Sequence, residues 1–278
     1  MLRSVWLVAA VLAAWLTTAS ADTLKRIGES GIIRIGHRAD AQPHSFRDNN
    51  GNAAGYIVDL CRDVAQAVQQ QLKRDVKIEF VVVTSESRFE MLRENKIDLL
   101  CDPSSITISR REIVDFSIPT FVDGAGVAFR GNEIERFEDF QGKRVGVLSG
   151  TTTHDLLRGS LAQLGVKAEV VVAKDHREGI RLLAEGKIDA YFADRAILAF
   201  LHSRREQGQQ FKLGRKYFSY ETYGLALQLG DAPFRLIVDR TLARLARQGR
   251  IEALANKNFG MTADELLRTM IAINSLPD

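Results

Sequence analysis

Three arginines, a histidine, an aspartate and a set of hydroxyls stand where short apolar runs end. The run 32–35 leads into Gly36-His37-Arg38, the run 80–83 into Thr84-Ser85-Glu86-Ser87-Arg88, and the run 97–100 into Asp102-Pro103-Ser104-Ser105, with Arg110 soon after. Farther along, 144–148 is followed by Gly150-Thr151-Thr152-Thr153, 169–172 by Lys174-Asp175-His176, and a later run closes on Ala193-Asp194. Guanidinium groups present paired N–H donors that match a carboxylate. Hydroxyls add neutral hydrogen bonds, and a lone carboxylate suits an ammonium. Brought together, these groups describe a site for a small zwitterion carrying extra negative charge.

Catalytic templates do not fit. The chain has no Gly-x-x-x-x-Gly-Lys-Ser/Thr loop, no Gly-x-Ser-x-Gly elbow, no His-Glu-x-x-His and no Cys-x-x-Cys. Its histidines, at 37, 44, 154, 176 and 202, are scattered without ligand spacing. A nucleophile or metal enzyme is disfavoured, and no cofactor is indicated. Glu86 beside Arg88 would be the group to draft for acid/base work, although a solvated loop glutamate is the simpler reading.

The elements that must position these residues follow from periodicity. The runs 32–35 and 78–83 are β-branched and short, and between them Ile57, Leu60, Cys61, Val64, Val68 and Leu72 recur at helical steps. This is the βαβ alternation of a largely parallel sheet, in which ligands gather at the carboxyl ends of the strands. After a charged stretch at 131–143 the alternation restarts, with a strand 144–148, a helix from about 153, a strand 169–172 and a helix from about 178. The segment 89–98 echoes 180–189 at an offset of 91 residues, each ending in Lys-Ile-Asp. Two similar lobes are expected. A helical tail is expected over 239–254, with Leu242, Leu245, Ile251 and Leu254 inward and Arg240, Arg244, Arg247 and Arg250 on a solvated face.

Composition sets the class. The 278 residues are 45% hydrophobic and 26% charged with a formal net charge of +3, which is globular and excludes collagen, coiled coil and disorder. So small a surplus of base gives no reason to expect a nucleic-acid partner. Arg3, the apolar run 5–16 and Ala19-Ser20-Ala21 read as a secretory signal peptide over 1–21, cleaved after Ala21. The run would rise about 18 Å as a helix, short of a ~30 Å hydrocarbon core. Export places Cys61 and Cys101 where a disulfide persists. They read as one bridge between a helix and the strand it packs on, with two buried thiols as the alternative.

These residues, in this order from about Leu24 to Phe259, resemble the periplasmic solute-binding proteins of polar amino-acid ABC importers, most closely the glutamate/aspartate branch. The carriers are Gly36-His37-Arg38, Gly55-Tyr56 with Asp59-Leu60, Thr84-Ser85 with Arg88, Lys96-Ile97-Asp98-Leu99, Arg110 ahead of Phe116-Ser117, Ser149-Gly150-Thr151-Thr152, Lys174-Asp175-His176 and Asp194. The resemblance implies a two-lobed periplasmic binding protein fold of type II, with two α/β lobes joined by a two-strand hinge. Lobe 1 would take 22–129 plus 225–278 and lobe 2 would take 130–224, with crossings near 129–133 and 219–224. It implies a monomer that captures an amino acid in the periplasm and presents it to a membrane permease, without chemistry. A ligand sensor for a receptor and a dehydratase-like enzyme on the same scaffold are the alternatives.

By the same resemblance, Arg110 pairs with the ligand α-carboxylate, aided by Ser105 and by Thr151 or Thr152, and Asp194 receives the α-ammonium. Arg38, Arg88 and His176 meet a side-chain carboxylate. Two departures stand out. Asp102-Pro103-Ser104-Ser105-Ile106 replaces the usual Gly-Ser-Thr-Thr-Asn, so Asp102 would be able to neutralise an arginine. His44 stands where a ligand-packing Phe is common, with Phe46 as a substitute aromatic wall.

Overall fold

The computed structural model describes residues 22–204, 211–260 and 263–277. The expected leader at 1–21 and its cleavage point lie outside the described residues. Two five-stranded sheets organise the remainder. In the first, Ile32–His37 is flanked by the parallel strands Lys77–Val82 and Leu99–Cys101; Ala226–Leu227 runs antiparallel to Leu99–Cys101, and Asp115–Phe116, antiparallel to Ala226–Leu227 in turn, completes the edge. In the second, Arg144–Leu148 lies between the parallel strands Glu169–Ala173 and Ala190–Asp194; Ala125–Phe129 runs antiparallel to Ala190–Asp194, and Lys212–Leu213 is antiparallel to Ala125–Phe129 in turn. The two strand orders correspond position for position.

The sequence echo has a structural counterpart. Asp98 Oδ2 accepts the N–H of Arg34 at 2.8 Å while the Asp98 N–H donates to the Arg34 carbonyl at 2.8 Å. Asp189 repeats both bonds on Arg144, each at 2.8 Å. Each Lys-Ile-Asp therefore pins a returning chain to the first residues of its central strand. Buried Ile97 and Ile188 sit beside Gly36 and Gly146, where an added Cβ would fall 2.5 Å from the isoleucine Cδ1 in both lobes.

Helix Tyr56–Leu72 buries Ile57, Leu60, Cys61, Val64 and Val68 against the first sheet, and Cys61 is disulfide-bonded to Cys101 at a Cα–Cα distance of 6.3 Å. The tail adds its inner face to the same core, with Leu242, Leu245, Ile251 and Leu254 all buried. It is not one helix over 239–254. Ala232–Arg247 and Arg250–Phe259 are separate, because Gly249 takes φ +69°, a left-handed turn that ends one helix and starts the next. The second lobe buries Val127, Phe140, Val147, Leu157 and Phe192 on one face of its sheet and Ile180, Leu183, Tyr191 and Leu198 on the other.

The lobes are joined by the antiparallel pair Phe121–Asp123 and Glu221–Tyr223. Glu221–Tyr223 is the second crossing strand. The first lies ahead of 129, because Ala125–Phe129 pairs with Ala190–Asp194 and so belongs to the second sheet. A fully buried Ala-Gly-Val-Ala-Phe run fits either sheet, and only its partner decides. Gly124 follows the first crossing strand, where an added Cβ would lie 1.8 Å from the Ser219 carbonyl, so the two connections touch backbone to backbone.

Candidate functional site

Parallel strands leave their carboxyl ends pointing the same way, and here those ends face each other across the hinge. Arg38 follows strand Ile32–His37, Arg88 opens helix Arg88–Arg93, and Ser105 lies beyond strand Leu99–Cys101. Arg110 lies in the turn Ile108–Arg111, which Thr107 caps by accepting the Arg110 N–H at 3.1 Å. From the other lobe, Thr151 caps helix Thr152–Leu164, His176 opens helix His176–Ala184, and Asp194 ends strand Ala190–Asp194. Arg38, Arg88, Ser105 and Arg110 line one cavity with Thr151, Thr152, His176 and Asp194, and Pro103 completes its wall. At ≈ 10 Å³ it offers about the room of a single water molecule, so it is closed to anything larger in this arrangement of the lobes.

Direct bonds hold the lobes together around it. Arg88 Nη2 donates to the Gly150 carbonyl at 3.0 Å, Ser149 Oγ donates to Glu86 at 2.6 Å, and the hydroxyls of Ser105 and Thr152 lie 3.2 Å apart. The N–H of His176 donates to Asp40 Oδ2 at 3.3 Å. Gly150 has φ +69° and an added Cβ would fall 2.7 Å from the Ser85 carbonyl, so glycine is what allows this approach. Glu86, the acid/base alternative, is occupied by Ser149.

The charged groups differ in what they already hold. Arg38 is bidentate on Asp40, with Nε to Oδ1 and Nη2 to Oδ2 both at 3.0 Å. Arg88 is almost fully buried, with Nε 3.4 Å from Asp102 Oδ2 and 3.1 Å from Ser104 Oγ, and Nη1 donates to the Ser85 carbonyl. Burial lowers its pKa to about 10, against the opposing pull of Asp102. Arg110 donates to the Ser105 carbonyl at 2.9 Å and lies over the Phe89 ring, and among the described residues no carboxylate reaches ion-pair distance. Burial lowers its pKa too, with Asp102, Glu221 and Asp194 opposing.

Asp194 is held well above the ordinary carboxylate range, first by burial and then by the neighbouring carboxylates Asp123 and Glu221. His176 is pushed down to about 4 by burial, opposed by Asp40, and its Nδ1 lies 3.0 Å from the Tyr191 hydroxyl. Thr152 donates to Glu221 at 2.6 Å. Thr151 lines the cavity, but its hydroxyl donates to the Leu148 carbonyl at 2.6 Å and accepts the His154 N–H at 3.1 Å, which commits it to its own helix.

Sequence reading missed Asp40 and Glu221. The signal for Asp40 was present, since residues two apart in extended chain share a face and Arg38 stands two before it. Glu221 comes from the hinge, which no local pattern points to. Phe46 is not part of the cavity wall.

His44 turns away from the cavity. Its ring is fully buried among Tyr56, Phe121, Tyr223 and Phe259, with centroids 4.8 Å from Phe121 and 5.0 Å from Phe259, and neither ring nitrogen has a hydrogen-bond partner. Burial depresses its pKa from 6.5 to about 3. The folded chain therefore refuses a proton that the unfolded chain binds, and stability falls as pH drops below about 6.5. His44→Phe, which fills the cage without orphaned nitrogens, should raise stability by about 1–3 kcal/mol. The gain should be larger at pH 5 than at pH 7.5, and melting curves at the two pH values check it.

Comparison with known proteins agrees with this architecture. The model of the bacterial extracellular solute-binding proteins, family 3, matches residues 33–261. The glutamate/aspartate import solute-binding protein of Salmonella typhimurium is 30% identical over 87% of this chain and 80% of its own. The L-glutamate/L-aspartate-binding protein of Pseudomonas aeruginosa is 30% identical over 93% and 87%. Among solved structures, the P235GK mutant of ArgBP from T. maritima superposes with a TM-score of 0.76 at 26% identity, covering 86% of this chain and all of that one. With two α/β lobes of corresponding strand order, a paired-strand hinge and a polar cavity between them, matched over most of its length, the chain belongs to family 3 of the bacterial extracellular solute-binding proteins.

Proposed function

We propose that this protein captures an L-α-amino acid between its lobes in the periplasm and delivers it, as a single chain, to the membrane permease of an ABC importer. One observation carries the reading: Arg110 from the first lobe and Asp194 from the second converge on one cavity, and neither has an ion-pair partner among the described residues. An α-carboxylate completes the guanidinium of Arg110, and an α-ammonium relieves the crowded carboxylates around Asp194. Ser105 and Thr152 add hydroxyls to the carboxylate end, while Arg38, Arg88 and His176 border the space for the side chain. No lobe alone provides both ends, so ligand favours the closed form by its differential affinity for it. The closed surface is the signal to the permease. An acidic side chain is what Arg38 and Arg88 lead one to expect from sequence, and it is the part of the reading that Asp40 and Asp102 bear on most directly.

A thermal-shift screen against the twenty L-amino acids tests this, with the protein unfolded and refolded first to remove copurified ligand. Binding to the native state alone raises the midpoint, and at 100 times Kd the gain is about 2.7 kcal/mol. At least one amino acid should shift the midpoint, while the matching amine without a carboxylate should not. A flat screen overturns the reading.

A further inference from the structure

The two arginines that border the side-chain end of the cavity already carry counterions supplied by the chain itself. Arg38 is paired through two nitrogens with Asp40, and that carboxylate also takes the N–H that opens helix His176–Ala184. Asp102, itself buried, stands 3.4 Å behind Arg88 and is fixed by the Ser104 hydroxyl at 2.5 Å. Arg88 also spends a nitrogen on each of Ser104, Ser85 and Gly150. Both guanidinium groups are thus built into the walls and into lobe closure.

The charge balance follows. Three guanidinium groups, Arg38, Arg88 and Arg110, face the carboxylates of Asp40, Asp102 and Asp194, and Glu221 stands next to the cavity on Thr152. A zwitterion with a neutral side chain enters this arrangement without adding charge. An acidic amino acid brings one more negative charge into a largely enclosed space whose arginines are already compensated, where an unpaired charge is costly. Each guanidinium retains N–H groups beyond those engaged, because arginine has five. A side-chain oxygen that accepts hydrogen bonds without carrying charge answers them.

Resting on the amino-acid reading above, the geometry points to a specificity device: Asp40 and Asp102 act as built-in counterions that turn the cavity away from glutamate and aspartate and toward amino acids with a neutral carboxamide or hydroxyl side chain. Deleting those counterions should restore a preference for acidic ligands.

Isothermal titration of the refolded protein with L-glutamine, L-asparagine, L-serine, L-glutamate and L-aspartate reads this directly. The best of the three neutral ligands should bind at least tenfold more tightly than either acidic one. In Asp102→Asn and in the double variant with Asp40→Asn, the ratio should move at least tenfold toward the acidic ligands. Asp40 is the less buried of the pair, so Asp40→Asn alone provides a variant that folds should Asp102→Asn fail to. Tighter binding of glutamate or aspartate by the unaltered protein overturns the inference and leaves the amino-acid reading standing, as does an unchanged ratio in folded variants. Failure of all twenty L-amino acids to bind overturns both.

Discussion

Arg110→Ala should cost amino-acid binding about 2–5 kcal/mol, the usual loss when one partner of a buried charge pair is truncated. This is on the order of 30-fold or more in Kd. Asp194→Asn should lose affinity on the same scale, since an amide offers no charge to the α-ammonium. The two substitutions separate binding from folding in a way a structural role would not. Arg110 holds no ion pair among the described residues and one hydrogen bond, to the Ser105 carbonyl, so its removal should lower stability far less than it weakens binding. Asp194 is kept well above its ordinary range by burial and by Asp123 and Glu221. A carboxyl raised in the folded state costs stability as pH climbs above the unfolded value, so Asp194→Asn should make the protein more stable at pH 7 than at pH 4, relative to the unaltered chain. A variant that binds worse and melts higher is the signature of a site that trades stability for ligand. Titration with the ligand found in the screen, together with melting at both pH values, measures it.

Removing the disulfide should have the largest effect on folding. Cys61 and Cys101 close a loop with a sequence separation of 40, and the chain-entropy relation gives about 4 kcal/mol for a loop of that size. Both cysteines are fully buried between helix Tyr56–Leu72 and the first sheet, so alanines there also leave the core less filled. The Cys61→Ala/Cys101→Ala protein should unfold at markedly lower urea, and reductant should shift the unaltered protein toward it while leaving the variant unmoved. The site would feel the loss, because the Cys101 carbonyl takes the Ser45 hydroxyl at 2.8 Å and that same hydroxyl accepts the N–H of Arg38 at 3.0 Å.

How far the sequence carried the fold varies with how local each signal is. Strand Arg144–Leu148 has the limits its apolar run implies, and helix Tyr56–Leu72 differs from its pattern by one residue, because in both the buried face is written in consecutive residues. The helix expected from about 178 begins at His176, since Asp175 caps it by accepting the Glu178 N–H at 2.8 Å. Strand Ala125–Phe129 pairs with Ala190–Asp194, a neighbour that its apolar run does not name. The break between the two tail helices is silent in the sequence, because a lone glycine within a helical pattern does not announce a left-handed turn.

The site shows the same division. Polar residues at strand ends were legible, because parallel strands deliver them to a common edge, and all eight line one cavity. What they hold was not legible. That Asp40 folds back on Arg38, that Asp102 stands behind Arg88 rather than in the cavity wall, and that His44 enters an aromatic cage below the hinge all depend on loop paths set by contacts far away in sequence.

The most direct test of the central claim is a crystal structure of the refolded protein grown with an equimolar mixture of the twenty L-amino acids. The account predicts one amino acid between closed lobes, its α-carboxylate on Arg110 and its α-ammonium on Asp194, with a neutral side chain toward Arg38 and Arg88. A closed cavity without an amino acid, or an amino acid bound with neither Arg110 nor Asp194, would contradict it.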